Sequence, residues 1–493
     1  MPIVTPSNGT GLAIAEEVIG TPGLLPGTPV WIPLEPNTYA EFGGQSKLTP
    51  RNPITSSRQR KKGVVTDLDA AAGFNSDFVT ESLSRVLQGF LFADWRYKTN
   101  LVPTAVAAGA YTVASGGTGF LVGSLLFAEG YGVAANNGLK PVTASTATSV
   151  TATGAVIEGA PPAGSKITRV GHQAASADVT LTVNSGVATL GSTTLNFTTL
   201  GLIPGEWIWI GGDTAVTQFA PAANNGAYRI KTIAANAIVF DRTPGVPVTD
   251  AGTGKTIQMF FGHVLKNESS SALQKLRTYH LERRLSANQF EYVEGAAANT
   301  LAINIKKADK ITFDLSFVGL TTERTAVAKS GTRETLPVQT AFNASTSFTR
   351  LRFNDDTTGV SLASYVDELK LTIDNGIDPV KAVSALGGID INYGDFMVSG
   401  SMNAFFSSTA AIDAVLKNED CSIDMLLVAR AGAQGVPDGW LFDVPLLALG
   451  DGRLKVEKDK PIMLPLSYDA AAHGTLDHTM LVVDFTYLPA VAL

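Results

Sequence analysis

Two stretches in the second half of the chain alternate apolar and polar residues with a period of two. Tyr279–Leu285 and Phe290–Gly319 form the first, and Tyr365–Gly376 and Phe396–Phe406 the second. Side chains on a strand point alternately to its two faces, so this period belongs to strands buried on one side only. Antiparallel sheets tolerate such one-sided burial. A chain built on these stretches is mainly β.

At 493 residues the chain exceeds one ordinary core, which predicts two or three domains. Only 16% of residues are charged and 48 are glycine, the composition of a turn-rich β protein. The net charge of −7 gives no sign of a protein built to grip nucleic acid. A single cysteine, Cys421, excludes an intrachain disulfide and a thiolate metal cluster. The start, Met1-Pro2-Ile3-Val4, shows no basic region followed by an apolar run, so synthesis in a reducing cytosol is expected. Residues 101–128 are nearly uncharged, but Pro103 and the many Gly, Thr and Ser residues predict buried β structure there rather than a membrane span.

Charge density divides the chain. Residues 103–262 hold seven Lys/Arg and seven Asp/Glu, leaving 30 (37 − 7) basic and 37 (44 − 7) acidic residues for the remainder. This shift predicts an inserted domain at 103–262 within a discontinuous core of 29–102 and 263–493, preceded by an N-terminal arm, 1–28. The insertion carries an internal repeat: Ala-Ala-Asn-Asn-Gly occurs at 134–138 and again at 222–226, each time between similar strand patterns. Two related small β modules are expected, with Asn-Gly supplying positive φ at a turn.

One helix is clear. After a strand near Gly73–Val79, Thr80 is a candidate N-cap, and Leu83, Val86, Leu87, Phe90 and Leu91 follow on one face. A second, shorter helix is predicted over Thr409–Leu416. Further strands are predicted at Val30–Leu34, Cys421–Val428, Trp440–Val444, Pro461–Leu466 and Thr479–Tyr487.

Motifs for chemistry fail on their context. Gly254-Lys255-Thr256 lacks the earlier glycine of a phosphate-binding loop, since position 249 is threonine, and a strand follows it instead of a helix. None of the five histidines has a partner at helical metal-ligand spacing; His473 and His478 only flank a polar turn. The pairs Asp355-Asp356, Asp367-Glu368 and Glu419-Asp420 fall at strand ends or turns, where solvated carboxylates are ordinary. No catalytic residue, cofactor or metal is assigned.

The ordered set of Gly73–Leu91, Glu282–Gly319 with a Glu294-Gly295 turn, Leu369–Gly376, and Val398–Phe406 followed by a short helix resembles the tail tube proteins of long-tailed bacteriophages. The resemblance implies an antiparallel tail-tube barrel or sandwich with one packing helix. It implies a structural protein of the virion tail, with no catalytic role. Its chains would assemble in the host cytoplasm into stacked, hexameric rings forming the hollow tube through which genomic DNA passes without specific binding. The partners implied are further copies of the chain and the tape measure, tail tip and tail terminator proteins, with no membrane. On this resemblance the insertion decorates the tube exterior, and the N-terminal arm and the polar 321–345 segment reach adjacent copies.

Alternation then nominates lumen-facing residues. Glu368, Lys370 and Thr372 oppose Leu369, Leu371 and Ile373, while Asp314 and Ser316 alternate with Phe313, Leu315 and Phe317. The basic run Arg58, Arg60, Lys61 and Lys62 lies in a Gly/Ser/Pro-rich loop and is a candidate contact to an acidic surface on a neighbouring copy. A virion surface, decoration or adhesion protein that binds glycan or host surface is the competing class, and the repeat pair suits it.

Overall fold

The computed structural model describes residues 7–56, 58–107, 109–335, 341–356, 361–362, 365–429 and 437–492. The first strands are β1 (Gly11–Glu16), β2 (Val30–Leu34), β3 (Pro36–Arg51) and β4 (Lys61–Asp77), followed by helix α1 (Thr80–Leu91). Strands β5 (Asn100–Leu101) to β17 (Gln258–Phe261) form a separate thirteen-stranded sheet.

The chain then returns to the first network. β18 (His263–Lys266), β19 (Thr278–Ser286), β20 (Gln289–Lys306), β21 (Thr312–Gly319), β22 (Thr321–Thr325), β23 (Thr332–Arg333), β24 (Phe348–Asp355) and β25 (Val366–Asp374) come first. After a small hairpin, β26 (Asp378–Lys381) and β27 (Gly388–Asn392), come β28 (Met397–Phe405) and α2 (Ala410–Lys417). β29 (Cys421–Ala429), β30 (Asp438–Asp451), β31 (Met463–Ala470) and β32 (Leu481–Phe485) complete it. The main network joins seventeen strands, antiparallel except where β2 meets β23. Its strands bend into two layers, and among the described residues they close no barrel within one chain.

Helix α1 packs through one apolar stripe onto β20, β18 and β2, with Arg85 on its exposed side. Leu83, Val86, Leu87, Phe90 and Leu91 are all buried, in one core with Phe74, Phe313, Phe317 and Trp440. Each such side chain contributes about 1.5–3 kcal/mol through its transfer from water. The cap position falls on Val79 rather than Thr80, and no side chain caps it. The sheet sets the helix start instead: the N–H of buried Phe78 donates to the Ile311 carbonyl at 2.9 Å.

Glu294-Gly295 is a kink inside β20 rather than a turn. Gly295 adopts φ +60° and donates its N–H to Glu17 Oε1 at 2.7 Å. The bend lets one strand serve two sets of partners, β22 over Phe290–Glu294 and β25 over Thr300–Lys306. Farther along, the side-chain amide of buried Asn375 donates to the carbonyls of Phe90 and Ala298, both at 3.0 Å, tying the end of α1 to the sheet.

Residues 11–16 are strand β1 of the main network, pairing with β19 and β2 and burying Leu12 and Ile14. Residues 1–6 lie outside the described residues. Much of 321–335 likewise lies on the chain's own sheet: Arg324 pairs with Glu291 at 2.8 Å, Arg333 with Glu282 at 2.7 Å, and Lys329 with Glu294. Residues 336–340 are outside the described set.

The Ala-Ala-Asn-Asn-Gly repeat is a repeat of hydrogen bonds. Ala134–Asn136 and Ala222–Asn224 are single 3₁₀ turns, each followed by a strand that opens on a positive-φ glycine, Gly138 or Gly226. The carbonyl of each buried Asn accepts from a tyrosine hydroxyl, Tyr111 to Asn136 at 2.6 Å and Tyr228 to Asn224 at 2.9 Å. The next asparagine brackets a loop in both copies, Asn137 on Tyr131 and Asn225 on Phe219.

The two sheets share a core. Leu125, Phe127, Trp207 and Phe260 pack with Val264, Leu426, Leu481, Phe485 and Tyr487. A charged cluster crosses the same junction: Arg229 bonds Asp241 at 2.9 Å and Asp443 at 3.1 Å, Arg242 pairs with Asp356, and Arg350 with Asp424. Burial works against the Arg229 charge, but Asp443 and Asp241 hold its pKa above the usual arginine range. Asp443 is itself buried, which raises its pKa, yet Arg229 holds it below the ordinary value. Gly262 sits between β17 and β18, where a Cβ would come within 2.2 Å of the Asp484 carbonyl.

Candidate functional site

Strands β4, β21, β20, β25, β28 and β31 run side by side, and their register lines up polar residues in rows. Asn75, Asp314, Ala302, Thr372, Ser399 and Asp469 form one row. Asp77, Thr312, Asn304, Lys370, Ser401 and Ser467 form the next. Gly73, Ser316, Thr300, Asp374 and Met397 make a third, and Lys306, Glu368 and Asn403 a fourth. Residues directly opposite on neighbouring strands share a face. All five sequence-nominated residues, Asp314, Ser316, Glu368, Lys370 and Thr372, therefore stand on one face.

The other face of the same strands is the core. Phe313, Leu315, Phe317, Leu369, Leu371, Ile373, Val398, Met402, Leu464 and Leu466 are buried, while Asp314, Glu368, Lys370, Ser401, Ser467 and Asp469 are exposed. The polar face is tied together laterally. Asn75 and Asn304 each donate a side-chain N–H to Asp314 at 2.7 Å, and the Thr300 and Ser316 hydroxyls are 2.6 Å apart. Lys306 pairs with Glu368 at 3.4 Å. Its strand carboxylates, Asp77, Asp314, Glu368, Asp374 and Asp469, outnumber its lysines, Lys306 and Lys370. The result is a flat, hydroxyl- and amide-rich surface with a mildly negative charge.

The basic run sits elsewhere. β3 and β4 extend as a two-stranded hairpin well beyond the sheet, at about 3.3 Å per residue. Arg58, Arg60, Lys61 and Lys62 are exposed at and beside its tip. Segment 47–65 holds no carboxylate, and Leu48, Ile54, Val64 and Val65 on it are exposed. At its base, Lys381 of the β26–β27 hairpin pairs with Asp67 at 2.7 Å and with Asp69.

The remaining polar residues have structural surroundings. The Asp355-Asp356 pair, expected to be solvated, belongs to the junction: Asp355 is buried, and Asp356 pairs with Arg242 and accepts from Ser422 at 2.8 Å. Its alternation gave no sign of this, because its partner is an insertion residue 114 positions away. Gly254 is a positive-φ turn residue, and the Lys255 ammonium donates to the Ala215 carbonyl. His478 is buried, with Nδ1 at 2.9 Å from the Leu476 carbonyl. Burial, aided by Arg169, pushes His172 down to about 4, and burial, aided by Lys98, does the same to His263. Burial pushes the Cys421 thiol up to about 12. Among the described residues, no three His, Cys, Asp or Glu side chains are grouped to hold a metal, and no helix is long and apolar enough to cross a membrane.

Sequence alternation found the β21 and β25 residues but missed how far the face extends. Ser399, Ser401 and Asn403 alternate with Val398 and Met402 in the same way, a signal present in the sequence. Asn75, Asn304 and Asp469 join only through register.

Comparison with known families matches the chain to the phage tail tube protein family over residues 7–470. No curated protein matches the chain. The chain belongs to the phage tail tube protein family.

Proposed function

We propose that this tail tube family member assembles side by side into closed rings, with six wall units on the family resemblance, and that the rings stack into the tube through which phage DNA leaves the virion. The observation that carries this reading is the two-sided sheet. One face is sealed by the apolar core, and the other is a broad polar surface that nothing among the described residues covers. Turned inward, β4, β21, β20, β25, β28 and β31 line a lumen. Carboxylates, hydroxyls and amides there repel or only weakly contact phosphates, and no arginine stands in the strand rows to hold them. Closing the sheet between chains also removes exposed strand edges, which otherwise invite uncontrolled pairing.

In this assembly the β3–β4 hairpin reaches a neighbouring copy, with Arg58, Arg60, Lys61 and Lys62 meeting acidic surface and Leu48, Ile54, Val64 and Val65 gaining apolar cover. The insertion, 103–262, stands on the outer side, since its joint with the core lies on the layer away from the polar face. Tape measure, tail tip and terminator proteins bound the tube's inside and ends. Assembly takes place in the host cytoplasm before incorporation into the virion.

Negative-stain electron microscopy of the purified chain at high concentration tests the proposal. Hollow tubes of uniform diameter are expected. Monomers or small closed oligomers that bind glycan or cells, and never polymerise on a tail-tip complex, would favour the adhesion reading.

A further inference from the structure

The main network contains the same fold twice. One half is β1, β3, β4, α1, β19, β20, β21 and β22. The other is β24, β25, β28, α2, β29, β30, β31 and β32. In the first, β3 pairs with β4, β4 with β21, β21 with β20, β20 with β19 and β22, and β19 with β1. In the second, β25 pairs with β28, β28 with β31, β31 with β30, β30 with β29 and β32, and β29 with β24. Element order, ladder partners and antiparallel sense agree throughout.

Details agree as well. Each helix follows the third strand of its half and ends on a left-handed residue, Phe92 at φ 48° and Asn418 at φ 51°. Each long strand, β20 and β30, serves both layers. The inserted sheet lies in the first half's connection from α1 to β19, where the second half has only residues 418–420.

The ladder that joins the two halves lacks a counterpart. β20 joins β25 from Thr300–Asp374 to Lys306–Glu368 and so welds the halves together. Its equivalent would join the end of β30 to β3. Among the described residues β3 pairs with no strand but β4, where the Arg283 guanidinium donates to the Phe42 carbonyl at 3.2 Å, and Leu449–Asp451 pair with no strand but β31, so both edges lack a second strand.

We infer that the chain is a tandem duplication of one tube-wall unit, and that β30 of one copy adds antiparallel to β3 of the next, as β20 adds to β25 within the chain. The edges that meet are residues 449–451 of β30 in one copy and 42–44 of β3 in the second. Different surfaces meet in this contact, so it is heterologous and forms a ring when the rotation closes. The inference rests on the tube reading. A wall of six units, at two per chain, then takes three chains (6 ÷ 2). Inserted domains stand beside every second unit only.

Cryo-electron microscopy of assembled tubes, with native mass spectrometry of rings released from them, counts chains per ring. Three chains, with three external domains per ring, are expected. Hydrogen exchange on the same material should slow by roughly tenfold or more at 42–44 and 449–451 on assembly. Six chains per ring, or unchanged exchange at those edges within intact tubes, overturns the inference while the tube reading stands. A chain that forms no ring, even on a tail-tip complex, overturns both.

Discussion

Arg229 on β15 (Gly226–Ala234) and Asp443 on β30 meet across the junction between inserted and main sheets, with Nη1 3.1 Å from Oδ1 and both side chains almost fully buried. The pair is what makes the insertion part of the body rather than a tethered ornament. Arg229 also holds Asp241, so one guanidinium serves a carboxylate on each side.

Arg229→Ala should therefore cost about 3–5 kcal/mol, because it strands a buried carboxylate. Thermal or denaturant unfolding reads this loss. The folded pKa of Asp443 is depressed, so its contribution is present above the unfolded value of about 3.9 and is lost as pH falls through the folded pKa. Stability should drop on acidification below about pH 4, and more shallowly in Asp443→Asn.

Deleting 103–262 behind a short linker should not leave a tidy core. It bares Val264, Leu426, Leu481 and Phe485 and leaves Asp443 without Arg229 and Asp356 without Arg242. The truncated chain is expected to be insoluble or poorly folded, as checked by sedimentation and circular dichroism. A soluble truncation that polymerises normally would show that the shared core is dispensable.

Reversing the arm charges, with Arg58, Arg60, Lys61 and Lys62 all changed to Glu, should leave the monomer's melting temperature within about 2 °C, since surface changes rarely exceed 0.5 kcal/mol. Tube formation should fail or need far higher protein concentration. Wild-type polymerisation by this variant would remove the arm from the contacts between copies.

Charge reversal on the polar face, Asp314→Lys with Glu368→Lys and Asp469→Lys, should permit assembly but make the lumen retain DNA. Binding of short duplex DNA to open tubes should appear in the variant and weaken steeply with salt. Equal, negligible binding by variant and parent would argue that this face does not meet the lumen.

Much of this architecture was legible from local pattern. The α1 stripe from Leu83 to Leu91 and the alternation in Val366–Asp374 both follow from the periodicity of one element, and both sit where that periodicity places them. The Ala-Ala-Asn-Asn-Gly repeat was visible because its asparagines bond their own loops. The Arg229–Asp443 contact was not legible, since 214 residues separate its members and neither sits in a motif. The duplication was hidden for another reason: its halves share pairing and punctuation rather than residues, and the insertion separates α1 from β19. Thr80 misses the cap by one residue, since the cap position is Val79.

The most direct test of the central claim is a side-chain-resolution cryo-electron microscopy map of the tube. Asp314, Ser316, Glu368, Lys370 and Thr372 should face the lumen, with α1 and the inserted sheet at larger radius. A map that places this face outside, or buries it between stacked rings, would contradict the account.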